Sequence, residues 1–218
     1  RFFPSVGADT PLISRIQTGE PVLRHRRDQV VALLAGVLEK VRGHTTAHGV
    51  HPRVGATDVV PFIPIKGVSM RECVQAAKRL GHRVGTELGI PVFLYERAAT
   101  HRDHAPLESV RRGGLEGLAF RMASDPDWTP DFGPAKPHDT AGAIVIGARP
   151  ALIAFNVNLA STDLALVQSI ARTIRQSNGG LRHLKAIGVE LASRRLVQVA
   201  MNLTDYEATP LPVAFKAV

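Results

Sequence analysis

Residues 57–95 read TDVVPFIPIKGVSMRECVQAAKRLGHRVGTELGIPVFLY. Three segments are legible in them. Residues 57–65 are β-branched and apolar but hold Pro61 and Pro64, which predicts a strand of irregular or edge character. Ser69 followed by Glu72 is a capping box, in which each side chain satisfies the other's free backbone N–H. The helix behind it carries Cys73, Ala77, Leu80, Val84 and Leu88 on one face and stops at Gly89. Pro91–Tyr95 is a second short strand.

The same reading extends both ways. Residues 1–20 have no clear period, and a helix is expected over about 26–43, with Val30, Leu33, Leu34, Val37, Leu38 and Val41 at helical spacing. Residues 96–122, with Gly113-Gly114 inside, hold one or two short helices. Residues 123–140 are rich in Asp, Pro and Gly and embed Trp128 and Phe132. Loops of that length in compact domains are usually functional or disordered, and two aromatics argue against disorder. Strands follow at about 142–147 and 151–158, then a helix from Ser161 that ends at Asn178-Gly179-Gly180. Strands at 184–191 and 196–203 are joined by a turn at Ser193-Arg194. The expected fold class is α+β, as two small α/β sandwiches joined near residue 140, with domains at 1–140 and 141–218.

Composition narrows the function classes. The chain has 218 residues, 44% hydrophobic and 21% charged, enough for one sizeable core or two small ones. No apolar run approaches the ~20 residues that span a bilayer, and Arg1-Phe2-Phe3-Pro4 does not read as a signal peptide. The one cysteine, Cys73, excludes an intrachain disulfide and suits a reducing, cytoplasmic setting. The net charge of +8 lies in the first half: 17 Lys and Arg against 10 Asp and Glu in residues 1–112, and 10 against 9 after them. Such a surface suits a polyanionic small molecule. Scarce Tyr and Trp, and no basic run, argue against nucleic acid.

The chemistry-bearing stretch is His51-Pro52-Arg53-Val54-Gly55-Ala56-Thr57-Asp58. It sets an imidazole, a guanidinium and a carboxylate at a loop-to-strand junction, where scaffolds display reactive groups. Pro52 restricts the backbone of His51, and a histidine can take and return a proton near neutral pH. A lone loop histidine is more often structural, and local residues alone favour that reading. His44 and His48 are four residues apart but lack acidic or Cys ligands, so no metal is expected. His101 and His104 lie in a charged loop and read as solvated.

The segment HPRVGATDVVPFIPIKGVSMRECVQAAKRLGHRVGTELGIPVFLYERAA resembles the amino-terminal subdomain of the formiminotransferase family. WTPDFGP, GAIVIGARPALIAFNVNL, GGLRHLKAIGVEL and VQVAMNLTDYEATPLP extend the resemblance, in order, into the family's carboxy-terminal subdomain. It covers roughly residues 48–212. The resemblance implies ferredoxin-like subdomains with a ligand cleft between them. It also implies transfer of a formimino group from N-formimino-L-glutamate to tetrahydrofolate, a co-substrate, without a metal. His51 aligns with the family's catalytic histidine. The loop Gly133, Pro134, Ala135, Lys136, Pro137, His138, Asp139, Thr140, Ala141, Gly142 aligns with its folate-binding loop, most closely at the two ends. Asn156 and Asn158 match a segment that lines the cleft, or are satisfied polar groups at a strand end. Arg53 is expected to orient a substrate carboxylate. Asp58 is expected to orient His51 or Arg53, or to cap the strand.

The sequence also departs from the family. Many members carry Glu where Val50 stands, the usual opening strand is not evident in residues 1–43, and the chain stops soon after TDYEATPLP with no cyclodeaminase domain. A shortened relative with an exposed sheet edge is expected to form a homodimer. A diverged non-catalytic relative, or one using another one-carbon donor, is the alternative reading.

Overall fold

A computed structural model describes residues 52–65 and 67–218. The helix expected over about 26–43, His44, His48 and His51 itself lie outside the described residues. The chain divides into two compact units, one ending at Arg149 and one running from Pro150 to Val218.

The first unit holds β1 (Asp58–Phe62), α1 (Met70–Glu87), β2 (Val92–Glu96), α2 (Leu107–Val110), α3 (Gly114–Ser124) and β3 (Ile144–Ala148). The sheet order is β1-β3-β2 and both ladders are parallel. Helix α1 starts as its capping box dictates: Ser69 Oγ accepts the Glu72 N–H at 3.3 Å, and Glu72 Oε2 accepts the Ser69 N–H at 2.9 Å. These bonds hold the Glu72 carboxyl below its ordinary value. The helix ends at Leu88, and Gly89 follows with φ +63°.

Both faces of this sheet are covered. Ile144 and Ile146 of β3 pack with Val92, Leu94 and the α1 residues Ala77, Leu80 and Val84. Val145, between them, packs on the other face with Phe93, Tyr95, Val110, Leu118, Met122 and Trp128. That double burial accounts for the unbroken apolar run IVIGA in β3, since a parallel sheet covered on both faces does not alternate.

The second unit holds β4 (Ile153–Leu159), α4 (Leu164–Ile174), β5 (Leu184–Leu191), β6 (Leu196–Leu203) and α5 (Leu211–Ala217). Its order is β4-β6-β5 and its ladders are antiparallel. One face packs on helices: Val197, Val199, Met201 and Leu203 join Val167, Ala171, Ile174 and Ala214. Alternate residues of β4 are exposed, among them Asn156 and Asn158. Alternation with one covered face is the signature of such a sheet.

The α+β class holds. Two expectations need correction. The strand after the long loop is the centre of the first sheet, so the division falls at Arg149/Pro150 and not near residue 140. Among the described residues the first unit also shows parallel ladders where a ferredoxin-like unit has antiparallel ones. The chain spends residues 97–143 returning to the starting end of the sheet, so its third strand runs parallel to the first two, and helices cover both faces. Helix α5, begun by Pro210 with Pro212 in its first turn, lies in residues that the sequence reading left without structure.

Candidate active site

Because β1, β2 and β3 are parallel and Asp58, Val92 and Ile144 stand in register, the segments entering all three strands meet at one edge of the sheet. The HPRVG segment enters β1 there, and the loop 133–142 enters β3. The structure joins the two by backbone. Ala143 N–H donates to Val54 O at 2.8 Å, Ala56 N–H donates to Ala141 O at 3.0 Å, and Gly55 bridges Gly142. A side chain on Gly55 would collide with the carbonyls of Ala141 and Ala143, which is why glycine stands in the motif.

The far end of the loop is anchored on the third entering segment. Gly133 has φ +85°, and a Cβ there would lie 2.6 Å from Ile90 O. Just before it, Asp131 and Phe132 run along the open edge of β2. Val92 N–H donates to Phe132 O at 2.9 Å, Asp131 N–H to Val92 O at 2.9 Å, and Leu94 N–H to Asp131 Oδ2 at 2.7 Å. The DFGP segment thereby pairs a strand edge that would otherwise expose its donors.

A buried cluster stands behind this strap. His104 is 2% exposed and packs edge-on to Phe93, with ring centroids 5.2 Å apart, and against Trp128 at 4.9 Å. The sequence reading had His104 solvated; the short turn Arg102–His104 instead carries it into the core. Its Nδ1 lies 4.0 Å from Asp131 Oδ2. Burial pushes the imidazole below its ordinary value, and the Asp131 carboxylate only partly offsets this. Arg121 lies over Trp128 at 4.1 Å and donates to Val110 O and Arg112 O, tying α3 to the end of α2.

The sequence-singled residues are placed as follows. Pro52 and Arg53 are exposed. Asp58 is 9% exposed, with both carboxylate oxygens engaged: Oδ1 accepts the Val54 N–H at 3.0 Å, and Oδ2 pairs with the Arg111 guanidinium. Its described partners are thus Val54 and Arg111, not Arg53. Within the loop, Gly133, Pro134, Ala135, Lys136, Asp139 and Thr140 are exposed, Pro137 and His138 half-buried, and Ala141 and Gly142 buried. His138 closes the loop's last turn. It exchanges backbone bonds with Gly142 at 2.8 and 2.9 Å, and its Nδ1 accepts the N–H groups of Thr140 and Ala141 at 3.3 and 3.2 Å. Asn156 and Asn158 lie in the second unit as exposed residues of β4, Asn156 at mid-strand and Asn158 one residue from its end, and Asn158 Oδ1 accepts from Gln198 Nε2 at 2.7 Å. Among the described residues no group of three or more His, Cys, Asp or Glu is placed to hold a metal ion. No described helix is long and apolar enough to cross a membrane.

Two subdomain models match the chain in the order the units occur. The formiminotransferase domain's N-terminal subdomain matches residues 40–149, and the formiminotransferase domain matches residues 154–218. The chain belongs to the formiminotransferase family. The boundary between these matches coincides with the division between the two units. Among curated relatives, the glutamate formimidoyltransferase of Streptococcus pyogenes serotype M1 is 45% identical over 174 residues, 80% of this chain and 58% of that protein. That of Thermoplasma acidophilum is 43% identical over 171 residues, 78% of this chain and 56% of its own length. The formimidoyltransferase-cyclodeaminase of Sus scrofa is 43% identical over 175 residues, 78% of this chain and 32% of that protein. The chain therefore spans between about a third and three fifths of the curated relatives named here.

Arg111 and the strap residue Asp131 were not singled out from the sequence. Arg111 lies 53 residues from Asp58, and no local signal in the sequence links the two.

Proposed function

We propose that this chain transfers a formimino group from N-formimino-L-glutamate to N5 of tetrahydrofolate, releasing glutamate and 5-formiminotetrahydrofolate. The observation that carries the reading is the joining of the HPRVG segment to the 133–142 loop at one sheet edge, in a chain 45% identical to a glutamate formimidoyltransferase.

The chemistry assigns the roles. The N5 amine attacks the amidine-like carbon of the donor, forming the new C–N bond. A base accepts the N5 proton, and an acid delivers a proton to the departing glutamate nitrogen as the old C–N bond breaks. His51 performs both in sequence, as one imidazole can. Arg53, which is exposed, pairs with a substrate carboxylate through its planar N–H donors. The loop from Gly133 to Gly142 receives the folate, and Lys136 supplies a cation for its glutamyl tail. Asn156 and Asn158 offer amides to the ligand from the second unit. Holding both substrates together lowers the barrier by proximity.

The reading includes a cytoplasmic setting, supported by the lone buried Cys73. It also includes a homodimer, supported by β1, which borders only β3 among the described residues.

The test is turnover of formiminoglutamate with tetrahydrofolate by the wild type and by His51→Ala. The reading expects wild-type turnover and a loss of about 100-fold or more in kcat for the variant, with reduced-folate binding retained. Equal turnover in the two proteins removes His51 from the mechanism.

A further inference from the structure

We propose that Arg111, which belongs to none of the motifs above, is a positioning residue for the His51–Arg53 segment and acts through the Asp58 carboxylate. The inference rests on the transferase reading and assigns that site a further residue.

Val54 is the fixed foot of the segment. Its side chain is fully buried among Phe93, Tyr95, Leu118 and Val145, and its carbonyl accepts the Ala143 N–H at 2.8 Å. Its N–H donates to Asp58 Oδ1 at 3.0 Å. That N–H lies in the same rigid peptide plane as the carbonyl of Arg53. Orienting it sets the direction in which the chain leaves the core towards Arg53 and Pro52. Pro52 and Arg53 are themselves exposed, so among the described residues the segment takes its direction from Val54.

Asp58 holds the Val54 N–H only while its own carboxylate is held. Its backbone has φ +62°, a left-handed conformation that costs a non-glycine residue energy and persists where surrounding contacts over-determine it. The Arg111 guanidinium supplies that contact from the residue that caps α2, across 53 residues of chain. The Arg111 and Asp58 side chains are only 23% and 12% exposed, so the pair is sheltered from screening. Removing the guanidinium leaves a buried carboxylate without its cation, which turns towards water. Its grip on the Val54 N–H then loosens.

A purely structural ion pair would cost stability and leave the chemistry of the folded molecules intact. A positioning role makes a different demand. The 133–142 loop is also anchored at Gly133, away from this pair, so loss of Arg111 should lower kcat far more than it raises KM for tetrahydrofolate.

The experiment compares wild type, Arg111→Lys and Arg111→Ala by steady-state kinetics and by amide hydrogen exchange at Val54. Arg111→Lys keeps the charge but not the planar fork and guards against a variant that fails to fold. Expected for Arg111→Lys are a drop in kcat of about 10-fold, KM for tetrahydrofolate within about twofold, and Val54 exchange at least ~10-fold faster. Arg111→Ala should lose more, and millimolar guanidinium should restore part of its kcat. Folded variants with wild-type kcat, or with unchanged Val54 exchange, overturn the inference. A wild type that turns over nothing overturns the transferase reading instead, and the Val54 exchange rate then decides alone whether Arg111 holds the segment.

Discussion

The two sheets of this chain have the same spatial order, with the third strand lying between the first and the second, yet they are built on opposite principles. In the second unit the third strand is reached through residues 192–195, so it runs antiparallel to its neighbours, and alternate residues of β4 are exposed. In the first unit the third strand is reached only after residues 97–143, so it runs parallel, and helices cover both faces. The detour has a functional consequence. It supplies the strap at Asp131-Phe132 and the loop at 133–142, and brings both to the edge where the HPRVG segment enters β1. A hairpin return leaves no chain for such a loop, and the second unit offers the polar face of β4 instead. Ligands of open α/β sheets usually sit at the carboxyl ends of the strands; here the candidate residues gather at the amino ends.

This contrast can be broken by stability measurements, beginning with the largest effect. Ile146→Ala removes a fully buried side chain from the centre of the doubly covered sheet and should cost about 3 kcal/mol in urea unfolding. A loss under about 1 kcal/mol would mean that the first sheet is not packed on both faces.

A smaller effect is expected from acid. His104 faces Asp131, His101, Asp103 and Asp127, and burial holds its pKa below the ordinary 6.5. With the folded pKa below the unfolded one, the unfolded chain binds the proton more readily. Stability is therefore complete above 6.5, falls as pH drops through 6.5 towards the folded value, and levels off below it. His104→Gln should flatten that part of the stability profile. An unchanged pH profile in the variant would place the acid sensitivity elsewhere.

The smallest effect on stability belongs to the exposed residues of β4. Asn158→Ala gives up one exposed bond to Gln198 and should change stability by no more than about 0.5 kcal/mol. If these residues serve the ligand, reduced-folate affinity in the same variant falls by roughly fivefold. Wild-type affinity would remove Asn158 from the ligand contacts.

Much of this architecture was legible in the sequence because its causes are local. Ser69 and Glu72 fixed the start of α1, Gly89 its end, and the turn at Ser193-Arg194 separated β5 and β6 at the bounds the structure has. The placement of β3 was not legible in the same way. Two apolar runs separated by Gly147-Ala148-Arg149-Pro150 read naturally as neighbours in one sheet. Which sheet a strand joins depends on contacts some fifty residues away, and the one local clue was that IVIGA does not alternate whereas IAFNVNL does. The site divides along the same line. The HPRVG segment and the loop ends were visible as motifs. The Asp58–Arg111 pair and the His104–Asp131 contact, which support them, are long-range and were not.

The central claim is that the edge formed by the HPRVG segment and the 133–142 loop serves a folate. Calorimetric titration of the chain with 5-formyltetrahydrofolate tests it most directly. The account predicts saturable one-site binding that weakens when the loop cation is removed in Lys136→Ala and when salt is raised. No heat of binding up to millimolar ligand would contradict it.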